Sequence, residues 1–163
     1  MDAKISVDGM HFTSYERHPF WNGNFTHKHK RAGYSCEVCV SIQKGDIVSI
    51  SGPFRAGMPD SEIFRFATLP ELEDGEKCEG DTHYKRNLKE RFITWPQGSE
   101  RARMAAKVEA RHETVNRRFR DFGMMRNRWT HGREKFSSAF RAVAVIVQLH
   151  IENGEPLFQV EYY

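Results

Sequence analysis

The chain begins with a short alternation of apolar and polar residues, which is typical of a half-buried β-strand. In residues 4–8, Ile5 and Val7 lie on one side and Asp8 stands at the carboxyl end. We expect a first strand here. Residues 11–31 show no clear period, so we expect them to form a loop.

A second alternating segment covers residues 34–43 and a third covers 47–51, with a Lys-Gly-Asp turn signal at 44–46 between them. Valine and isoleucine side chains share one face of the second segment, and β-branched residues favour strands. Residues 34–51 are therefore predicted to form a hairpin.

Strand-like runs and apolar residues at helical spacing alternate along the rest of the chain. The predicted elements are, in order, a helix from Asp60 or Ser61 to about Leu72, strands at 77–80 and 92–95, and helices at 100–122 and about 136–152. The last segment is apolar nearly all round, so a strand is the alternative there. This order predicts a mixed α/β fold with a central sheet.

The composition is that of a globular domain. The chain has 163 residues, of which 39% are hydrophobic and 12% aromatic, and no apolar run is long enough to span a membrane. Three cysteines cannot all pair within the chain, which favours a reducing compartment. We expect a nuclear protein if the source is a eukaryote and a cytoplasmic one otherwise.

Charge is divided unequally along the chain. Residues 101–141 hold 12 Lys and Arg against 4 Asp and Glu, a local balance of +8, whereas the whole chain stands at +3. A basic segment of this kind indicates a polyanionic partner such as DNA, and a solvated helical surface is the simpler alternative. The sequence contains neither a glycine-rich phosphate loop nor a Gly-x-Ser-x-Gly nucleophile elbow.

Three acidic residues are predicted to meet near one edge of the sheet. Asp8 ends one predicted strand, Asp81 follows another, and Glu113 lies on the predicted long helix. Sites in open sheets tend to lie at the carboxyl ends of parallel strands. Carboxylate oxygens bind Mg²⁺, and two such ions can activate a nucleophile and stabilise a leaving oxygen. Glu109, one helical turn before Glu113, is the alternative third acid.

An ordered set of motifs runs through the chain: VDGMHF, KHKRAGYSCEVCVSIQKGDIVSISGPFRAGMPDSEIF, CEGDTHY and ARHETVNRRFRDFG. From Ile5 to about Glu155 the chain resembles the DDE superfamily endonucleases, the PIF/Harbinger-like and bacterial insertion-sequence-like transposases. The resemblance implies an RNase H-like α/β fold, with strands 1–3 antiparallel, strands 1, 4 and 5 parallel, and flanking helices. It also implies a single catalytic domain over 1–163 that lacks an upstream DNA-binding domain.

Carried over by position, the resemblance makes Asp8 and Asp81 the first two catalytic acids and metal ligands. Glu113, in Glu-Thr-Val-Asn-Arg-Arg-Phe-Arg, is similar to the family's Glu-Arg-Val-x-x-Arg helix and is the third. The implied activity is cleavage and strand transfer of DNA at transposon ends, with two Mg²⁺ or Mn²⁺ ions. A homodimer is a possible assembly under this resemblance. A catalytically silent DNA-binding or assembly module is the alternative.

Basic residues near the third acid and in the HKHKR segment are the expected DNA contacts, since Lys and Arg bind phosphates and position DNA without reading its sequence. The set consists of Lys28, Lys30, Arg31, Arg111, Arg117, Arg118, Arg126 and Arg128.

A zinc or protein-interaction domain is a third hypothesis. His27, His29, Cys36 and Cys39 are of the residue types that bind zinc. The two cysteines stand three apart in a predicted strand, which directs their thiols to opposite faces. A shared zinc ion would therefore require that strand to be distorted.

Overall fold

The computed structural model describes residues 3–16, 19, 21–26 and 30–162, and within them five strands and five α-helices form. The strands are β1 (Ile5–Thr13), β2 (Phe25–Thr26), β3 (Arg31–Ser41), β4 (Ile47–Arg55) and β5 (Cys78–Glu79). The helices are α1 (Asp60–Ala67), α2 (Thr82–Asn87), α3 (Glu100–Asp121), α4 (Gly123–Arg126) and α5 (Arg133–Glu152). In this described part of the chain, no helix is long and apolar enough to cross a membrane.

Strand β1 lies inside a mixed sheet. It pairs antiparallel with β3 along its whole length, from Ile5 opposite Ser41 to Thr13 opposite Gly33, and parallel with β5 on its other side. Strand β3 also pairs antiparallel with β4 and, near its beginning, with β2. The predicted hairpin and the α/β class are confirmed.

Strand β1 is longer than predicted, and Asp8 lies in its middle instead of at its end. The strand continues because Met10 and Phe12 extend the alternation and are buried in the core. The expected loop at 11–31 is wrong at both ends, since the end of β1, all of β2 and the first residue of β3 fall within it.

The region after β5 also differs from the prediction. Residues 92–95, all of which are described, form a single parallel bridge from Phe92 to Cys78 in place of a strand. Helix α2, which the sequence did not predict, fills the interval because Asp81 caps it immediately after β5. Two backbone hydrogen bonds still hold the later segment beside Cys78.

The two long helices occur as predicted. Helix α3 begins after Ser99, whose hydroxyl accepts a hydrogen bond from the backbone of Ala102 as an N-cap. Helix α5 is helical throughout, which removes the strand alternative for its apolar segment. Helix α1 is shorter than expected because a separate 3₁₀ turn at Leu69–Glu71 follows it.

Apolar side chains are buried on both faces of the sheet. On one face, Met10 and Phe12 pack with Val115 and Phe119 of α3 and with aromatic side chains of α5. On the other face, Val7 packs with side chains of α1 and α2. Helices therefore cover both faces, and α3 lies over the part of β1 that carries the first acid.

Candidate functional site

The three predicted acids line one cavity. Asp8 from β1, Asp81 from the start of α2 and Glu113 from α3 surround a space of about 420 Å³. Asp8 is half-buried, whereas Asp81 and Glu113 are exposed. Glu109 and other residues of α3 line the same cavity, so three separate segments of the chain contribute acids to one place.

The register of the parallel pair brings Asp8 and Asp81 to the same level. Ser6 of β1 lies opposite Glu79 of β5. Asp8 and Asp81 each follow two positions after these paired residues. Strand β5 then ends, and Oδ1 of Asp81 accepts hydrogen bonds from two backbone N–H groups of α2, at 2.8 and 3.1 Å. The helix that Asp81 caps thus holds its carboxylate.

Two side-chain hydrogen bonds dock α3 on β1. Oγ of Ser6 lies 2.8 Å from Nδ1 of His112, and Asn116 donates from Nδ2 to Oδ2 of Asp8 at 2.6 Å. Residues two apart on a strand share a face, as do residues four apart on a helix, so the bonds form a ladder between these elements. Glu113, which follows His112, is thereby set at the cavity beside Asp8.

Negative charge accumulates around Asp8. The pKa of its carboxyl is raised to about 7, first by burial, then by the carboxylate of Glu113 and more weakly by Asp81 and Asp60. A hydrogen bond from the backbone of Gly9 lowers this pKa but does not reverse the shift. A cation in the cavity would relieve the repulsion, because opposite charge favours the ionised carboxylate.

The carboxylate of Asp60 approaches Asp8 from the face of the sheet opposite the cavity. It stands at the start of α1 and lies against Gly9, where a Cβ would be only 2.6 Å from its Oδ1. Glycine at position 9 is needed for this close approach. Nε2 of His11 lies 3.7 Å from the same oxygen.

A lysine distinguishes the two candidates for the third acid. Nζ of Lys85 on α2 lies 3.0 Å from Oε1 of Glu109 and 3.1 Å from Oε2 of the buried Glu79. Glu109 therefore already has a cationic partner, whereas Glu113 is the carboxylate that contributes most to raising the pKa of Asp8. The arrangement favours Glu113 as the third acid.

The donors of the cavity suit a hard divalent cation by type. Within the described ranges, no three His, Cys, Asp or Glu side chains are grouped as a ready-made metal site. Mg²⁺, however, usually keeps several waters and needs only one or two carboxylates as direct ligands. Oδ1 of the buried Asn116, which lines the cavity, has no hydrogen-bond partner among the described residues. The three carboxylates fit a hydrated ion.

Arg111 does not lie on a DNA-facing surface, which corrects the expectation from the sequence. Only 1% of the residue is exposed, and its guanidinium donates to the backbone carbonyls of Ser41 and Ile42 at the β3–β4 turn. Its donors serve this turn, a long-range contact that helical periodicity does not reveal.

The other basic candidates lie on two segments. Lys30 and Arg31 are exposed where β3 begins, and Lys28 lies outside the described residues. Arg118 is half-buried, and the exposed members on and after α3 are Arg117, Arg126 and Arg128. Of the described members of this set, none lines the acid cavity.

The sequence patterns did not single out two residues of the cavity. Asn116 and Arg120 lie three and seven positions after Glu113, so they share its face of α3, and both line the cavity. Their helical spacing was visible in the sequence. An amide is a weak chemical signal, however, and Arg120 stands among many arginines.

The cysteines are core residues. Cys36 is buried on one face of β3 and Cys39 on the other, as the alternation predicted, so they cannot share a zinc ion. Burial raises the pKa of both thiols and of Cys78, which disfavours the thiolate that zinc requires. The remaining residues of the zinc hypothesis, His27 and His29, lie outside the described residues.

Comparison with known proteins adds no relationship, since no protein-family model, no curated protein and no solved structure matches the chain. The cavity and its residues are therefore the basis for assigning a function.

Proposed function

We propose that this protein is a metal-dependent DNA endonuclease or strand transferase of the DDE type. The observation that carries the proposal is the cavity in which Asp8, Asp81 and Glu113 meet from three elements. The raised pKa of Asp8 adds support, because a carboxylate perturbed in this way in a cleft is a functional-site candidate. The proposed cofactor is a pair of Mg²⁺ or Mn²⁺ ions.

The strand directions support an RNase H-like sheet within this proposal. Strand β3 pairs antiparallel with β1 on one side and with β4 on the other, and β5 runs parallel to β1. Phe92 continues the parallel side with one bridge to β5, in the place of the fifth strand. The acids on β1, after β5 and on α3 occupy the order of the DDE motifs.

Four charged residues of the cavity have proposed tasks. Asp8, Asp81 and Glu113 bind the ions through carboxylate oxygens, for which Asp8 must be ionised. When bound, the ions lower the pKa of an attacking water and stabilise negative charge in the transition state. Arg120, which lines the same cavity, contacts a phosphate of the bound strand.

The proposed substrate is double-stranded DNA. Exposed arginines on α3 and directly after it lie in the most basic part of the chain, and the same helix carries the third acid. Phosphate contacts of this kind give an affinity that falls as salt increases. The resemblance to transposases adds the ends of a mobile element as the target.

A catalytically silent DNA-binding module is the second candidate. It is favoured by the absence of a ready-made metal group among the described residues and by the use of Oδ1 of Asp81 as a helix cap. Such a module would bind DNA with the same salt dependence and would not cut it.

Titration calorimetry with Mn²⁺, at a pH above the pKa of Asp8, tests the metal centre. Wild-type protein is expected to bind Mn²⁺, and Asp8→Asn is expected to bind it at least roughly 10-fold more weakly. Asp74→Asn, which changes an exposed carboxylate between α1 and β5, is the matched control and should bind like the wild type.

Nicking of supercoiled plasmid DNA by the same three proteins then tests the chemistry. Cleavage by wild type and Asp74→Asn but not by Asp8→Asn supports the nuclease. Salt-dependent DNA binding without cleavage supports the silent module. A folded wild-type protein that binds no Mn²⁺, even with DNA present, contradicts the proposal.

A further inference from the structure

Asn116 lies between the long helix and the central strand. It is 4% exposed, lines the acid cavity, and donates from Nδ2 to Oδ2 of Asp8 at 2.6 Å. Its Oδ1 has no partner among the described residues. A buried amide oxygen without a hydrogen bond is unfavourable, and an apolar side chain of similar size would avoid that cost. The amide is therefore best explained by the bond that Nδ2 makes.

The bond from Asn116 gives the second oxygen of Asp8 a hydrogen-bond donor. Oδ1 of Asp8 accepts from the backbone N–H of Gly9 at 2.9 Å, and Oδ2 accepts from the amide of Asn116. With a donor on each oxygen, the rotation of the carboxylate group is defined. The carboxylate is oriented in this way before any ion is bound.

Both of these donors are neutral, which distinguishes Asp8 from Glu109, the acid of the same cavity that pairs with a lysine. Glu79 and Glu109 share the ammonium of Lys85, so each already has a cationic partner. A lysine or arginine in the place of Asn116 would orient Asp8 equally well but would also neutralise it. An amide orients the carboxylate and leaves its charge for an ion.

We propose that Asn116 is a positioning residue of the metal centre, which holds Asp8 in its ligand orientation through a neutral donor. The inference rests on the proposed function, because it assumes a divalent ion bound by Asp8, Asp81 and Glu113. Groups that orient ligating side chains typically contribute roughly 10–100-fold to metal affinity.

Mn²⁺ calorimetry on Asn116→Leu tests the inference, because leucine fills a similar space and removes the donor. The affinity is expected to fall roughly 10–100-fold, while a cooperative thermal transition shows that the variant is folded. The matched control is Thr114→Val on the same helix, where the lost hydroxyl bonds to the helix itself at the carbonyl of Ala110. This control should bind Mn²⁺ like the wild type.

A measurement on the wild-type protein covers the case in which Asn116→Leu does not fold. The side-chain NH₂ group of Asn116 is followed by heteronuclear NMR as diamagnetic Mg²⁺ is added. Its resonances are expected to shift, because the carboxylate that they bond to becomes a ligand. Resonances that do not move while the protein takes up Mg²⁺ would overturn the inference.

The outcomes separate this inference from the proposed function. If wild type and Asn116→Leu bind Mn²⁺ equally well, Asn116 has no positioning role and the nuclease proposal stands. If wild type binds no Mn²⁺, both are overturned. If Thr114→Val loses as much affinity as Asn116→Leu, the effect is a general loosening of α3 and the inference is overturned.

Discussion

Oγ of Ser6 lies 2.8 Å from Nδ1 of His112 and joins the centre of the sheet to the long helix. Both side chains are buried, and burial together with the charge of Arg111 lowers the pKa of His112 to about 3, so the imidazole stays neutral. This bond and the bond between Asn116 and Asp8 fix which residues of α3 face β1. The position of the third acid follows from them.

Ser6→Ala is expected to lower the free energy of unfolding by about 1–3 kcal/mol, since it leaves a buried imidazole nitrogen without its partner. Urea unfolding at neutral pH measures the change. Ser138→Ala removes an exposed hydroxyl that bonds within its own helix, and this control should change stability by less than about 0.5 kcal/mol. Equal effects in the two variants would show that the Ser6 bond does not stabilise the docked helix.

The two candidates for the third acid can be separated by substitution. Glu113→Gln is expected to reduce plasmid cleavage more than about 100-fold, because a lost ligand should cost more than a lost orienting group. Glu109→Gln should retain most of the cleavage and lower stability, since Lys85 loses one of its two partners. Plasmid nicking and urea unfolding of both variants measure this. The reverse pattern would make Glu109 the ligand.

Glu37 is a buried carboxyl on β3 that is expected to give the protein a pH-dependent stability. It accepts hydrogen bonds from the hydroxyl of Thr68 and, at 2.9 Å, from that of Tyr84. Burial raises its pKa from an ordinary 4.5 to about 7 in spite of these two bonds. Between those values the folded chain retains a proton that the unfolded chain has released.

The free energy of unfolding should therefore fall as the pH rises from about 4.5 to about 7, by on the order of 3 kcal/mol for this group. Glu37→Gln keeps a donor and an acceptor for the two hydroxyls without the charge. Its stability should lose this part of the pH dependence. Denaturant unfolding of both proteins at several pH values measures the difference, and curves that run parallel would refute the assignment.

Substitution of Arg120 should affect DNA binding, whereas substitution of Arg111 should affect stability. Arg120→Gln is expected to reduce the slope of log affinity against log salt by about 1, the loss of one phosphate contact. Arg111→Met should leave this slope unchanged and lower the free energy of unfolding by roughly 1–3 kcal/mol for each carbonyl left without its donor. Fluorescence anisotropy with duplex DNA gives the slopes, and an unchanged slope would exclude Arg120 from the contact surface.

Local patterns were sufficient where one signal dominated. The alternation in β3 and the turn before β4 predicted their elements because each acts within a few residues. The gathering of Asp8 and Asp81 could be expected from acids that follow strands. In the structure, however, Asp8 lies inside β1, since burial of the residues beyond it prolongs the strand.

The roles of several site residues depend on contacts between distant parts of the chain, which local sequence patterns do not reveal. Lys85 separates Glu109 from Glu113 only because α2 folds against α3, and α2 itself had no strong periodic signal. In the sequence, Arg111 cannot be distinguished from the neighbouring surface arginines. In the structure, its guanidinium donates to the β3–β4 turn. Asn116 gains its importance from a strand more than a hundred residues earlier in the chain.

The contact between Asp60 and Gly9 brings a charge on one face of the sheet close to the acids on the other face. A single backbone separates the carboxylate on one face from the acids on the other, and Asp60 contributes to the raised pKa of Asp8 across it. A residue of helix α1 therefore influences the pKa of Asp8, whose cavity lies on the opposite side of the sheet. Neutralising position 60 would allow Asp8 to release its proton at a lower pH without altering any residue that lines the cavity.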